Sequence, residues 1–242
     1  MKSCFIIFLA VSAAALAQDA GWKFQDGFRG LFRGKVVANE PYSGVGVTTS
    51  KRTLSDGNAI NESSCAKVYR DSAGRTRREE TRNSAACSAT PQSIFISDPV
   101  AGIEYAINLQ NKTYRQFSIK APTAAATTQA AHPRVANPSE VETSLGTQAI
   151  SGTSFSAQGT QTVRTIPAGR FGNAQPITIT SVRWYSPDLQ IVTQSSRTDP
   201  RNGATTYQLS DISTAEPAAS LFELPSGLTL EQGRGPRGRR AP

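Results

Sequence analysis

The residues best suited to acid–base or nucleophilic chemistry are few and poorly placed for it. The sequence contains one histidine, His132, which precedes Pro133 in a stretch rich in Ala, Thr and Pro. A nucleophilic serine or cysteine needs a base that is held beside it in a fixed orientation. The adjacent Glu79 and Glu80 would point to opposite faces of a strand, so their carboxylates cannot act together. We therefore expect no catalytic residue and no enzyme activity, and keep a hydrolase only as a distant alternative.

Metal and cofactor sites have typical spacings that this sequence lacks. Zinc sites need clustered Cys and His ligands, and the chain has three cysteines and one histidine. The runs Asp56–Asn58 and Asp199–Gly203 are typical of turns rather than of calcium loops. The run Gly44–Gly46 lacks the lysine and the helix of a phosphate-binding loop. The sequence thus predicts neither a metal nor a cofactor.

Residues 1–17 have the three parts of a secretory signal peptide. Lys2 supplies the positive charge, an apolar stretch extends to Leu16, and Ala15–Ala17 fits a small-residue cleavage site. A membrane anchor is the alternative, but it requires about 20 apolar residues. We predict an exported protein, periplasmic or secreted, that is cleaved near Ala17.

Cleavage of the predicted signal peptide would remove Cys4 and leave two cysteines in the mature chain. An even pair in an oxidising compartment favours one disulfide, here between Cys65 and Cys87, with two free thiols as the alternative. A turn at residues 71–74 would place Cys65 roughly opposite Glu80. The loop at 83–90 would then have to fold back over the sheet to bring Cys87 to Cys65.

Positive charge is concentrated at the C terminus. The chain has a net charge of +8, and four of its 26 basic residues are arginines within 232–242, beside Gly, Pro, Gln and Ala. Such a composition buries too little apolar surface to fold, so we predict a disordered tail over 227–242. Arginine-rich tails can bind nucleic acid through its phosphates, but export argues against that partner. Contact with anionic envelope surfaces, or with nothing, is the expectation for this tail.

The rest of the chain has the pattern of a β-rich domain over residues 40–226. Turn residues recur at short intervals between runs rich in Val, Ile and Thr, and no long segment keeps a helical period. Residues 120–139 are rich in Ala, Pro and Thr, which is typical of a flexible loop. The N-terminal segment 18–39 carries apolar residues at helical spacing, which favours a helix, but also four glycines, which weaken one.

Two predicted strands differ in the burial that their patterns indicate. One alternates apolar with polar residues, and its inward side consists of Ile103, Tyr105, Ile107 and Leu109. The strand at 75–82 is highly charged, so we predict that one face or edge of the sheet is solvated there, with Glu79 and Glu80 neutralising nearby arginines.

Aromatic residues provide the material for a binding groove. An open sheet needs cover for its concave face, and the sequence offers three candidate covering segments, 18–39, 140–146 and 217–222. Because this cover is small, we predict an apolar groove that remains for a ligand, with ordinary core packing as the alternative. The groove residues would be Phe24, Phe28, Phe32, Tyr105, Trp184 and Tyr207.

A series of short motifs resembles the LolA/LppX/RseB-like envelope proteins. These proteins show a Trp or Tyr before a turn, a hairpin of D-P-x-x-G type and a closing "slFelP" segment, preceded by a "y..G..R.E" hairpin and a further pair of strands. The matching stretches are Val182–Leu189, Asp199–Tyr207, Ser220–Pro225, Val68–Glu79 and Ile96–Asn108.

The resemblance implies a single, strongly curved antiparallel sheet, open or an incomplete barrel, with few short helices. It also implies a concave face that receives a lipid or an acyl chain. Two functions follow as hypotheses. The first is a binding domain for an apolar ligand or an envelope protein partner, and the alternative is a structural or regulatory RseB-like module without a small ligand.

Overall fold

A computed structural model describes residues 36–88, 90–119 and 139–231. The predicted signal peptide, the segment 18–35 with Phe24, Phe28 and Phe32, nearly all of the loop 120–139, and residues 232–242 lie outside this part of the chain. Within the described part, no helix is both long and apolar enough to cross a membrane.

The described chain is built from strands that form one twelve-stranded sheet. The strands are β1 (Tyr42–Thr53), β2 (Ala59–Arg70), β3 (Thr76–Arg82), β4 (Ser93–Asp98), β5 (Ile103–Asn108), β6 (Thr113–Ser118), β7 (Glu140–Ala149), β8 (Ser156–Ile166), β9 (Ile177–Ser186), β10 (Ile191–Asp199), β11 (Gly203–Ser213) and β12 (Thr229–Leu230), and one 3₁₀ helix spans Ala219–Phe222.

The strand order is β12-β6-β5-β4-β3-β2-β1-β11-β10-β9-β8-β7, which leaves β12 and β7 as the two ends. All neighbours are antiparallel except β12, which runs parallel to β6. The predicted fold class, an open and mainly antiparallel β-sheet with little helix, is therefore confirmed. The crossover that joins β1 to β11 brings the first and last long strands of the chain together at the centre of the sheet.

The sheet has apolar cores on both of its faces. Residues directly opposite each other on paired strands share a face. Lys67, Glu79 and Ile94 are aligned in this way across β2, β3 and β4, whereas Val68 and Arg78 are aligned on the other face. We call the first core the wing cluster, formed by Ile94, Ile96 and Ile107 with Tyr105, Leu109, Tyr114, Leu224 and Leu228. The second is the central cluster, formed by Ala66, Val68, Ile150, Ala157, Leu189, Ile191, Leu209 and Ile212 with Tyr42, Phe155, Trp184 and Tyr207.

The wing cluster confirms the predicted inward side of β5 in part, since Ile103 is half-buried outside the cluster and the opposite residues Glu104 and Asn108 are half-buried rather than exposed. Ile107 is buried and Tyr105 and Leu109 pack against the same cluster, while Gln110 is exposed. The 3₁₀ helix covers this face, since the Arg77 Nη1 donates a hydrogen bond to the Leu221 carbonyl oxygen at 2.8 Å. The segment 217–222 thus covers the face of β3 and β4 that carries the wing cluster.

The predicted solvation of the charged strand β3 is wrong. Arg77 and Arg78 are 8% and 3% exposed. Each pairs with the glutamate two residues later, at 2.8 Å from Arg77 Nε to Glu79 Oε1 and 3.2 Å from Arg78 Nη2 to Glu80 Oε1. Residues two apart on a strand share a face, so each buried arginine lies beside a half-buried glutamate.

Two predicted boundaries are also wrong. Residues 140–146 do not cover a face, because they form most of strand β7. Residues 227–231 do not belong to the predicted disordered tail, since Thr229 and Leu230 pair with β6. A bidentate ion pair between Arg115 and Glu231, with N–O distances of 2.8 and 2.9 Å, fixes this end of the chain against the sheet.

The predicted disulfide between Cys65 and Cys87 is confirmed, with the two Cα atoms 5.0 Å apart. Cys65 lies opposite Thr81 rather than Glu80, a difference of one residue in register. The loop folds back as expected, because the Ser88 amide donates to the Thr81 Oγ1 at 3.1 Å.

Replacing both cysteines, Cys65→Ala with Cys87→Ser, should lower the free energy of unfolding by about 3 kcal/mol, because the bond closes a long loop in the unfolded chain. Urea unfolding of the variant and of the oxidised wild type measures this difference. Reduced wild type is the control and should match the variant. Equal stability of oxidised and reduced wild type would contradict the prediction.

Candidate ligand groove

The described part of the sheet curls on itself between β7 and β11. The end of β7 and the residues after it lie against β10 and β11, although β8 and β9 separate these strands in the sheet. Irregular pairing accompanies the curl, between Val192 and Gln194 in β10 and between Ser144 and Gly146 in β7. Such bulges bend a strand and increase its twist, which explains how the end of β7 returns to β11.

A groove of about 180 Å³ that is open to solvent lies at this curl. Its apolar lining comes from Ala149, Ile150 and Leu209, of which Ile150 and Leu209 are buried members of the central cluster. The whole lining consists of Gln148, Ala149, Ile150, Ser151, Thr193, Gln194, Gln208 and Leu209. The lining therefore combines three apolar residues with five uncharged polar ones, a composition that can hold an apolar group and hydrogen-bond to a polar one attached to it.

The volume limits what this groove can accept. Pockets that bury drug-sized ligands measure about 300–1,000 Å³, so this groove holds a short apolar segment rather than a whole lipid. Among residues 36–88, 90–119 and 139–231, no group of three or more His, Cys, Asp or Glu side chains is placed to hold a metal ion.

Trp184 adjoins the groove. It lies directly opposite Gln194 on β10 and Gly159 on β8. A Cβ atom at Gly159 would lie 2.7 Å from the Trp184 ring, so the indole occupies the space that a side chain at this position would need. The Thr193 Oγ1 also donates to the Trp184 carbonyl oxygen at 3.4 Å. Trp184 thus supports the wall of the groove from the neighbouring strand.

Tyr207 packs in the central cluster and points away from its neighbour Gln208, which lines the groove. Its ring covers Gly46, where a Cβ atom would lie 2.8 Å from the ring. Burial raises the pKa of the Tyr207 phenol above its usual value, with a smaller opposing contribution from Arg78. Tyr207 therefore remains neutral and acts as a core residue.

Tyr105 lies apart from both of these residues. It belongs to the wing cluster and meets Tyr114 edge to face, with ring centroids 6.0 Å apart. The structure thus brings Trp184 and Tyr207 together in one cluster and places Tyr105 in another. The predicted parts of Phe24, Phe28 and Phe32 in a groove stay predictions, because these residues lie outside the described ranges.

Buried arginine provides a second polar feature near the central cluster. The Arg70 guanidinium donates from Nε to the Glu40 carbonyl oxygen at 2.8 Å and from Nη2 to the Leu189 carbonyl oxygen. It also stacks on the Tyr42 ring at 4.7 Å. Burial lowers the pKa of Arg70, and the nearby Tyr42 opposes that effect. These contacts tie the start of the sheet to the β9–β10 turn, which is a structural role.

Sequence reasoning missed the residues that line the groove. The amides of Gln148, Gln194 and Gln208 resemble any exposed polar residue in the sequence, and the pairing irregularity at Thr193 has no Gly or Pro to mark it. The one local signal is Gly146, whose φ of 83° permits the irregularity in β7.

Comparison with solved structures finds similar chains at low identity. A LolA superfamily protein from Nitrosomonas europaea is 8% identical, with 78% of this chain and 92% of that chain covered and a TM-score of 0.32. A DUF1329 family protein from Desulfovibrio piger is 11% identical, with coverage of 84% and 96% and a TM-score of 0.30. LprF from Mycobacterium bovis is 14% identical, with coverage of 75% and 91% and a TM-score of 0.29.

These structures include the superfamily that the sequence motifs resemble. No protein-family model matches the chain, and no curated protein matches it. At such identities and TM-scores, a function does not transfer from these proteins to this chain.

Proposed function

We propose that this protein is an exported, non-enzymatic binding domain that holds an apolar ligand, a lipid or an acyl chain, by one end. The observation that supports the proposal is the groove between the end of β7 and strands β10 and β11, with its uncharged lining of apolar and polar residues. Export is inferred from the signal-peptide pattern of residues 1–17 and its cleavage near Ala17.

The lining carries no charged residue, which favours an uncharged chain end over an ionic metabolite. Ala149, Ile150 and Leu209 can contact an acyl terminus, and the glutamine amides of the lining can both donate and accept hydrogen bonds. An ester or carboxyl oxygen of the ligand would lie beside these glutamines. The volume of about 180 Å³ sets the length that is enclosed.

Filling the groove tests the proposal. Ala149 is exposed on the groove side, so an Ala149→Trp variant should occupy the space without disturbing the buried cluster. We expect its affinity for palmitate to fall at least about tenfold relative to wild type, which corresponds to about 1.4 kcal/mol. Isothermal titration of the full mature chain, supported by native mass spectrometry after mild extraction, measures the binding.

The matched control is Thr147→Trp, which adds the same side chain at an exposed position of β7 outside the groove lining. It should bind palmitate like wild type, and both variants should melt at the wild-type temperature. A bare mass after extraction together with no palmitate binding by wild type would reject the proposal. That result would favour the structural or regulatory module without a small ligand.

A further inference from the structure

Strand β7 pairs with β8 on one side, and no strand among the described residues pairs with its outer side. The sheet ends at β7 on one side, whereas the other side is capped by β12 and its Arg115–Glu231 ion pair. Nine of the ten residues of β7 are exposed, and Val141 is 62% exposed. A long exposed edge with apolar side chains is a template for pairing with another strand.

The outward backbone groups of this edge can be assigned from one hydrogen bond. The Thr165 amide donates to the Ser139 carbonyl oxygen at 2.9 Å. Hydrogen-bonded and non-bonded pairs alternate along an antiparallel ladder. In the register of β7 with β8, the amides and carbonyls of Glu140, Glu142 and Ser144 therefore point away from the sheet.

The irregularity at Gly146 limits the outward ladder. The register of β7 shifts between Ser144 and Gly146, and the Gly146 amide donates to the Ser144 Oγ at 3.3 Å. Beyond this point the alternation of outward groups changes phase. A strand added to this edge would pair regularly over residues 140–144.

Charge decides which strand fits this ladder. Glu140 and Glu142 supply two of its three outward positions, and neither forms an ion pair within the described ranges. The nearest cation by register is Arg164, opposite Glu140 on β8. A second copy is disfavoured, because antiparallel pairing over 140–144 would set Glu142 directly opposite its own counterpart, and like charges in that position repel.

We propose that the β7 edge accepts an extended segment of another protein that carries Lys or Arg at alternate positions. The partner's backbone would hydrogen-bond to Glu140, Glu142 and Ser144, and its basic side chains would lie opposite the two carboxylates. Val141 and Leu145 would supply apolar contact beside the ladder. This inference does not rest on the ligand groove.

Removing one outward donor tests the proposal. A proline at position 144 deletes an amide that does not bond to β8, which an edge strand tolerates. The probe is a short end-capped peptide of alternating lysine and valine, titrated into the full mature chain. We expect Ser144→Pro to weaken peptide binding about tenfold. The variant loses the hydrogen bond from the Ser144 amide to the peptide and weakens the adjacent bonds of the ladder. Ser144→Ala keeps the amide and should bind like wild type.

Charge reversal in the peptide supplies the second comparison. The same peptide with glutamate in place of lysine should not bind, and Glu140→Gln with Glu142→Gln should remove most of the salt dependence. On peptide binding, hydrogen exchange should slow at the amides of Glu142 and Ser144. The proposal is overturned by equal binding of Ser144→Pro and Ser144→Ala, by equal binding of the two peptides, or by dimers of the wild type that Ser144→Pro abolishes.

Discussion

Replacing Arg78 with alanine is expected to lower the free energy of unfolding by about 3–5 kcal/mol. Arg78 is 3% exposed, and its Nη2 lies 3.2 Å from the Glu80 Oε1. Burial lowers the pKa of Arg78 to about 10, and the adjacent Glu80 opposes that effect. The variant would leave Glu80 largely buried with a weaker partner, Arg82 at 3.6 Å.

Arg82→Ala is the matched control, because it removes the other arginine beside Glu80 from a half-exposed position. Arg82→Ala should lower the free energy of unfolding by about 1 kcal/mol or less, because exposed ion pairs contribute little to stability. The double variant Arg78→Met with Glu80→Gln should regain most of the loss, because both charges then leave the interior together. Urea unfolding measures all three, and equal costs for Arg78→Ala and Arg82→Ala would contradict the prediction.

Replacing Tyr105 with alanine should lower the free energy of unfolding by about 3–4 kcal/mol, near the lower end for large aromatic truncations because Tyr105 is half-buried. The ring packs against the wing cluster and meets Tyr114 edge to face. Truncating a residue that lines an empty groove would lower the free energy of unfolding much less. The measurement therefore distinguishes a core position from a groove position for Tyr105.

Phe117→Ala is the control for Tyr105, because Phe117 is an aromatic residue of the neighbouring strand β6 that is 48% exposed. Its truncation should cost about 1 kcal/mol or less, since little apolar surface leaves a packed site. Thermal and urea unfolding report both variants. A Tyr105→Asp variant with wild-type stability would show that this face of β5 is not buried.

Most of the strands follow from local signals in the sequence. Asp56-Gly57 marks the β1–β2 hairpin, and Gly57 has the positive φ of 85° that such a turn needs. The alternation over Ile103–Leu109 identified the buried face of β5. The pair of cysteines left after export identified the disulfide, although not the exact register of Cys65.

What the sequence did not reveal depends on contacts between distant segments. Arg77 is buried because the 3₁₀ helix lies over it, with the Leu221 carbonyl oxygen accepting its hydrogen bond. No residue near Arg77 in the sequence predicts that this distant helix packs there. Strand β7 has Glu, Thr and Ser at positions where an apolar alternation would be expected, because it lies at an exposed edge. The groove requires the curl that returns Ile150 to Leu209, which no local pattern encodes.

The pairing of β1 with β11 has a consequence for how the chain folds. Val47 pairs with Gln208, so two strands at the centre of the sheet are joined only after most of the polypeptide exists. Non-local pairing of this kind slows folding, since a long loop must close before any contact repays its lost entropy. Until β11 arrives, the outer side of β1 is an open strand edge rich in Val and Thr. During synthesis that edge is exposed to aggregation, and a chaperone that shields β1 until the last strands emerge would raise the yield of folded protein.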